Sequence, residues 1–481
     1  MNDVPSSKNS GNSRVIGIVG GGLSGALVAI QLLGKATSPL QVVLIEPRAE
    51  AGRGVAYSTS SPSHLLNVRA GNMSIFPDEP EDFLKYLRRR SPDYSSRDFV
   101  QRQRFGAYVG ERLRQARWEA FHGVGFEHLR DRARRIELAD NGGMRVALES
   151  GSVFTADLVV LALGNNPPAA PFEKSEGADV VSGWSAEAFE GLGKDEEVLI
   201  VGSGLTAVDS VLTLEDRGHR GAIHVISRHG RWPLVHGSPL PLSGPTLAVG
   251  RGDSVLTILR ALRAAARQAG MREDSWQVAF DQIRPYGNAI WRRLPPNERR
   301  RFLRHARPLW EIHRHRMPPE AAARIESLGQ SGQLVTQRGR VLDATGTRDG
   351  LSEVTIDTSA ASSRRDKSHL AVRRVIVCTG PDLDFRKAAQ PIIRDLIDHN
   401  LAQLDSSNLG LAVSDNHALL QGNGRPSSSL FALGPVIRGS LWETTALPEI
   451  RVQARDLAGH LLNVPANDSV NSGSSASIFP A

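Results

Sequence analysis

The sequence predicts an α/β fold of two Rossmann-like domains, the first split around the second, with a helical insertion inside the second. Three observations predict it. A strand, glycine turn, helix and second strand run from Arg14 to Glu46. The same plan restarts near Lys194 with matched internal spacing. Short apolar runs ending in small-residue turns, LVVLALG at Leu158–Gly164 and RVIVCTG at Arg374–Gly380, then close each half.

In the opening unit, Val15 to Val19 is a β-branched run suited to a buried parallel strand. Gly20, Gly22 and Gly25 follow as G-x-G-x-x-G, and Leu23 and Ser24 begin an apolar helix that reaches Leu33. Gln41 to Ile45 is the second strand, and Glu46 ends it 26 residues after Gly20. Gly20 allows the tight turn, Gly22 admits a pyrophosphate to the backbone, and Gly25 permits close helix–strand packing. The pyrophosphate sits on free N–H groups at the helix N-terminus, and Glu46 accepts from ribose hydroxyls. The five glycines between Val15 and Leu33, with Ser24 and Gln31, make that apolar stretch a poor membrane span or signal sequence.

The chain has 481 residues, enough for two or three domains, and its 40% hydrophobic and 23% charged content is that of a globular protein. The net charge is +7, but only seven of 58 basic residues are lysines, and no basic run interleaves with aromatics, so nucleic acid is not the expected partner. Anionic nucleotides or substrates are the better match. Cys378 is the sole cysteine, which rules out an intrachain disulfide and fits a reducing, cytoplasmic location.

Taken in order, residues 1–13 are a polar tail expected to be disordered. A Gly/Ser/Pro-rich loop from Ala51 to Pro77 precedes a helix at EDFLKYLRRR, and Phe99 to Gln115 suggests another. Phe126–Leu138, Arg145–Ser150 and Val153–Leu163 read as a strand meander. In the second unit Gly202, Gly204 and Ala207 align with Gly20, Gly22 and Gly25, and Leu205 and Thr206 open the helix. The position 26 residues after Gly202 is Arg228. An acid there suits ribose hydroxyls; an arginine pairs with a 2′-phosphate, with Ser227 adding a hydroxyl. The first site is therefore expected to hold FAD and the second NADPH, the alternative being a solvated Arg228. Residues 231–329 read as the helical insertion, kinked at Pro308. Its His305, His313 and His315 gather no carboxylate or thiolate partner for a metal and are expected to be solvated or core histidines; no metal is expected. The resulting domains are 14–189 with 372–462, 190–371, and a disordered tail at 463–481.

These elements resemble the two-dinucleotide-binding-domain flavoproteins. GGGLSG, GRGVAYST with HLLNVRAGNMSIFPDEPEDFLKYL, VLIVGSGLTAVDSV with VISRHG, LRHARPLWEIHRHR, VIVCTGP and GPVIRGSLWETTALPEIRVQA resemble the YdhS-like (urate-hydroxylase-type) FAD/NAD(P)-binding family. More distantly, the layout is similar to class B flavin monooxygenases and siderophore N-hydroxylases. The resemblance implies that the loop with Leu66, Asn67 and Val68 and the turn with Gly439, Leu441 and Thr444 flank the isoalloxazine. Arg53 and Arg69 are further polar candidates on the first loop, and Gly164, Gly380 and Gly434 are turn glycines at the cofactor. A helix starting near Thr445 would offer its positive end to the flavin.

The implied activity is an NADPH-dependent FAD monooxygenase that hydroxylates a small substrate, an amine or amino acid, with O₂ through a C4a-peroxyflavin. Arg307, Arg314 or Arg316 would hold a substrate carboxylate. The alternatives are an NADPH-dependent reductase or oxidase without oxygen insertion, and a non-catalytic flavin-binding redox sensor. VSGWSAEAFEG lacks the histidine of the Baeyer–Villiger fingerprint, and one cysteine cannot form the redox pair of a disulfide reductase. No catalytic base is assigned.

Overall fold

The computed structural model describes residues 13–140, 142–238, 254–269, 276–359, 367–387 and 390–464. The N-terminal tail up to residue 12, most of the C-terminal tail, and the centre of the loop at 358–368 lie outside the described residues.

The chain starts with β1 (Arg14–Val19), α1 (Leu23–Lys35) and β2 (Leu40–Ile45). β1 pairs in parallel with β2, Arg14 opposite Leu40 through Val19 opposite Ile45. Ile16, Ile18, Val42 and Leu44 are buried, as in a sheet covered on both faces. A short helix α2 (Gly54–Tyr57) precedes a long loop, then α3 (Asp82–Arg88) and α4 (Arg102–Trp118).

A buried ion pair joins α3 to α4. The Asp82 carboxylate accepts from Arg112 Nε at 2.8 Å, Arg112 Nη2 at 2.7 Å and the Tyr108 hydroxyl at 2.6 Å. Burial first, then the Asp82 charge, pushes the Tyr108 phenol up from its ordinary value. Arg112→Leu would strand a buried carboxylate and is expected to cost about 3 kcal/mol in urea unfolding; an unchanged midpoint would contradict that.

β3 (Val124–Leu129) follows, then β4 (Ala133–Leu138), β5 (Met144–Leu148), β6 (Val153–Ala156) and β7 (Leu158–Leu161). The expected meander divides here. β3 and β7 join the parallel sheet, and only β4–β5–β6 form an antiparallel unit. Asp131 turns the chain between β3 and β4, its Oδ1 accepting from Arg132 N at 2.7 Å.

The second unit contains β8 (Glu173–Lys174), β9 (Val180–Ser182), β10 (Val198–Val201), α5 (Leu205–Asp216) and β11 (Ile223–Ser227). The segment read as an insertion is helical through most of its described part: α6 (Val255–Gln268), α7 (Trp276–Ile283), α8 (Gly287–Arg293), α9 (Pro296–Arg301), a π-helical turn at Phe302–Ala306, α10 (Arg307–Arg314) and α11 (Pro319–Gln330). Pro308 opens α10 right after the wide turn, which is how the chain absorbs a proline in a helical run. α11 packs on α5 and on the next strand, covering the second sheet.

β12 (Leu334–Arg338), β13 (Arg340–Gly346), β14 (Ser352–Asp357), β15 (Lys367–Val372) and β16 (Arg374–Val377) complete this half. The second parallel sheet has the order β12-β11-β10-β16-β9, beside the smaller sheet β15-β14-β13-β8. After α12 (Pro391–Asp398), β17 (Ala418–Leu420) and β18 (Pro426–Ala432) return to the first sheet, whose order is β17-β18-β7-β1-β2-β3. The last helix, α13 (Leu447–Asn463), packs on α1. Both glycine turns thus lie at the C-terminal ends of central strands, where open α/β sheets bind ligands.

Candidate functional site

The glycines of the two turns separate into those the fold requires and those it does not. Gly20 has φ +100° and Gly202 φ +109°, and a Cβ on either would lie 2.4 Å from a backbone oxygen, of Ala162 and Cys378 respectively. A Cβ at Gly25 would fall 1.9 Å from Gly20 O. Gly22 and Gly204 differ. Their backbones are extended, with φ −67° and −82°, and open to any residue. A Cβ at Gly22 would come no nearer than 3.5 Å, to Gly54 Cα, and one at Gly204 would meet nothing within 4 Å. Each is the N-cap of a helix that carries no side-chain cap, so the first N–H groups of α1 and α5 keep their hydrogen-bonding capacity beside open space. That combination fits a pyrophosphate at each turn.

Glu46 is buried against the first turn, its Oε2 accepting from Gly21 N at 3.0 Å. Leu23 and Ser24 start α1, and Gly434 (φ +81°) approaches so closely that its Cβ would sit 2.5 Å from Ser24 Oγ. Arg53 stands at the N-cap position of α2 without a capping hydrogen bond, pairs with Glu50 at 2.7 Å, and leads into Gly54 over the same turn. In the following loop Leu66 is buried, Val68 packs on the core of the first domain, and Asn67 offers its carbonyl to His236 Nε2 at 3.0 Å. The Arg69 guanidinium is spent on the carbonyls of Arg97 and Gly237 and lies over the Phe99 ring, so it braces the loop rather than offering a free fork.

The second turn opens on a cavity of about 1030 Å³. One wall is the turn from Gly202 to Thr206, the end of β11 and Gly339–Arg340; the opposite contributors are Arg438 and Thr445, the π turn and α10. Gly380 also lines it, with φ +77°, while Gly164 (φ +72°) ends the matching strand of the first sheet. Leu205 and Thr206 begin α5, and Thr206 Oγ1 accepts from Trp184 Nε1 at 3.3 Å. Ser227 Oγ lies 2.8 Å from Ser203 Oγ and accepts from Gly230 N at 3.0 Å. Arg228 is exposed on the cavity and has no carboxylate partner among the described residues. Burial, then Arg228, Arg231 and Arg338, push the His229 imidazole below its ordinary range, so the end of β11 is a positive patch.

The insertion is fastened to the C-terminal turn. Arg314 Nη2 donates to Glu443 Oε2 at 2.9 Å, and Arg284 grips Glu449 with two bonds of 2.6 and 2.9 Å. Trp291 Nε1 donates to Gly439 O at 2.7 Å, and Asn288 brackets the Glu443 backbone. Leu441 is buried in the core, and the fully buried Thr444 hydroxyl lies 2.8 Å from Gln453 Oε1.

Two of the arginines expected to hold a substrate are thereby corrected: Arg314 is consumed by Glu443, and the buried Arg316 by Asp281 and Gln277. Arg307 does line the cavity, paired with Glu311 at 2.9 Å. His305, exposed on the π turn as a solvated histidine, and His315, just after α10, both line the cavity; His313 instead packs against Trp276 and Phe280. Burial, then Arg314, push His315 down to about 3, so it is neutral at physiological pH. Sequence reasoning missed Arg438 and Glu311 as cavity residues, although both lie within motifs it quoted.

Polar clamps hold the two halves together. His64 Nε2 lies 2.8 Å from Thr213 Oγ1 on α5, Arg102 pairs with Asp209 at 2.6 Å, and Arg324 reaches Glu215, Asp216 and Ser63. His236, which ties the loop at Asn67 to the insertion, is pushed down to about 3 by burial and then by Arg316, with Arg69 and Arg314 adding and the Asn67 carbonyl opposing. The unfolded chain binds a proton there that the folded chain refuses, so this stability is complete above about pH 6.5 and falls away as pH drops towards 3. His236→Gln should remove about 1–2 kcal/mol of the stability lost between pH 7 and pH 5 in urea melts; an unchanged pH slope would contradict this.

Residues 17–166 match the family described as FAD-NAD(P)-binding. No curated protein matches the chain by sequence. Among solved structures, an ornithine hydroxylase from Pseudomonas aeruginosa superposes with a TM-score of 0.63 at 18% identity, covering 94% of this chain and 98% of that one. An L-lysine 6-monooxygenase from Pseudomonas syringae gives 0.62 at 17%, covering 94% and 99%. The FAD-bound cadaverine monooxygenase of Erwinia amylovora gives 0.63 at 15%, covering 98% and 99%. The shared architecture is an FAD/NAD(P)-binding α/β fold extending over nearly the whole chain. No helix among the described residues is long and apolar enough to cross a membrane.

Proposed function

We propose that this chain is an NADPH-dependent FAD oxidoreductase, a flavin monooxygenase that hydroxylates a small amine or amino-acid substrate, and a cytoplasmic member of the YdhS-like family. The observation that carries it is the pair of open, uncapped helix N-termini at Gly22 and Gly204, one followed by an acid and the other by an arginine. Bound FAD would supply the capacity to take a hydride from NADPH and to activate O₂. Gly20, Gly22, Leu23, Ser24 and Gly25 would hold its pyrophosphate and Glu46 its ribose. The segments at Arg53, Leu66–Val68, Gly434 and Gly439–Thr444 would enclose the flavin, and the α13 N-terminus, uncapped by any side chain, would put its positive end towards the cavity at Thr445. Gly202, Gly204, Leu205 and Thr206 would hold NADPH, with Arg228 on the 2′-phosphate. The cavity is partly open to solvent, and bound cofactors and substrate would displace water from the reacting atoms. Thiol chemistry has no support here, since the sole cysteine, Cys378, is buried and its thiol is pushed up to about 12 by burial.

The test follows NADPH, peroxide and product mass together under isotopically labelled O₂. Without substrate, NADPH oxidation should be slow or end in H₂O₂; with a matching substrate it should accelerate, peroxide should fall and label should enter the product. Fast turnover with stoichiometric peroxide and no labelled product would instead make the chain an oxidase.

A further inference from the structure

Among the described residues, six arginines line the cavity against a single carboxylate, Glu311, which is more positive charge than one dinucleotide phosphate end needs. Arg228, Arg231 and Arg340 belong to the end of β11 and the start of β13, beside the second glycine turn. Arg304, Arg307 and Arg438 come from the π turn, α10 and the C-terminal turn instead. Arg438 is the unusual one. It is 8% exposed, its Nε is buried without a hydrogen-bond partner, and its guanidinium lies over the Trp442 ring at 4.4 Å. Its nearest carboxylate, Glu311, is 3.5 Å from Nη2 and is held more closely by Arg307 at 2.9 Å. Two guanidinium groups thus share one carboxylate, leaving a buried positive charge uncompensated, an arrangement that an anionic ligand would relieve. His315 adds no charge to the cluster at neutral pH but lines the same cavity.

We propose that Arg438, with Arg307, is the carboxylate-binding subsite of the substrate cavity, so that the substrate carries a carboxylate and a cationic diamine is rejected. This rests on the cavity being the substrate site of the oxidoreductase proposed above. The planar fork of a guanidinium matches a carboxylate with two parallel bonds. A terminal ammonium on the same spot would face two arginines. An amino acid meets the requirement through its carboxylate; cadaverine, the substrate named for one structural neighbour, does not.

The same chemistry would also suit a phosphate of the dinucleotide, so the test separates the two. The FAD-loaded protein, saturated with NADP⁺, is titrated calorimetrically with glutarate, 5-aminopentanoate and cadaverine, which share a five-carbon chain and differ in charge. Glutarate and 5-aminopentanoate should bind about 10-fold or more tightly than cadaverine. Arg438→Gln should weaken both by about 10-fold and leave NADP⁺ affinity unchanged, whereas Arg228→Gln should do the reverse. Should Arg438→Gln not fold, Arg307→Gln, whose side chain is partly exposed, carries the same comparison. Equal binding of cadaverine, no binding by any of the three, or a loss of NADP⁺ affinity in Arg438→Gln would overturn the proposal. Reduction of the flavin by NADPH, followed on the same samples without carboxylate, reports the oxidoreductase reading independently.

Discussion

Gly22→Val is expected to yield a folded protein that no longer retains FAD, and Gly204→Val a yellow protein that no longer accepts electrons from NADPH. Neither position requires glycine for the fold: both backbones are extended, and added Cβ atoms would meet the protein at no less than 3.5 Å. What a side chain would occupy is the space above an open helix N-terminus. FAD affinity in Gly22→Val should fall by about 100-fold or more, equivalent to roughly 3 kcal/mol, read as loss of flavin on gel filtration. Gly25→Ala is the contrasting control. Its Cβ would lie 1.9 Å from Gly20 O, so that variant should lose thermal stability itself. Normal FAD retention by Gly22→Val would remove the pyrophosphate from this turn.

Arg228→Ala is expected to lower the preference for NADPH over NADH by about 10- to 100-fold, the value of one charge-assisted hydrogen bond. The arginine ends β11 exposed on the cavity, has no carboxylate partner among the described residues, and stands beside His229, Arg231 and Arg340. The change should appear mainly in KM for NADPH, since a 2′-phosphate is remote from the transferred hydride. A wild-type enzyme indifferent to the 2′-phosphate, or a variant that keeps its preference, would make Arg228 a solvated surface residue.

The two turns were legible in the sequence because their chemistry is local. A positive φ at Gly20 and Gly202 and close approach at Gly25 are dictated within a few residues, and spacing alone locates the strand-end residues Glu46 and Arg228. The insertion was not legible in the same way. Arg314, Arg316 and Arg438 look alike in a sequence, and only pairings across 129, 35 and 127 residues decide that the first two are neutralised and the third is under-compensated. The π turn is intermediate: Pro308 signals an irregular helix, but not that Arg304 and His305 on that turn line the cavity. β3 was misplaced because a solvated antiparallel strand and an edge strand of a parallel sheet both show partial exposure, as Val124–Leu129 does.

The most direct measurement of the central claim is rapid mixing of the FAD-loaded chain with NADPH under anaerobic conditions, following the visible absorbance of the flavin. A protein that holds both cofactors as proposed should bleach completely with one equivalent of NADPH and recover its colour on admission of O₂. Flavin that stays oxidised under excess NADPH, while FAD remains bound, would contradict the account.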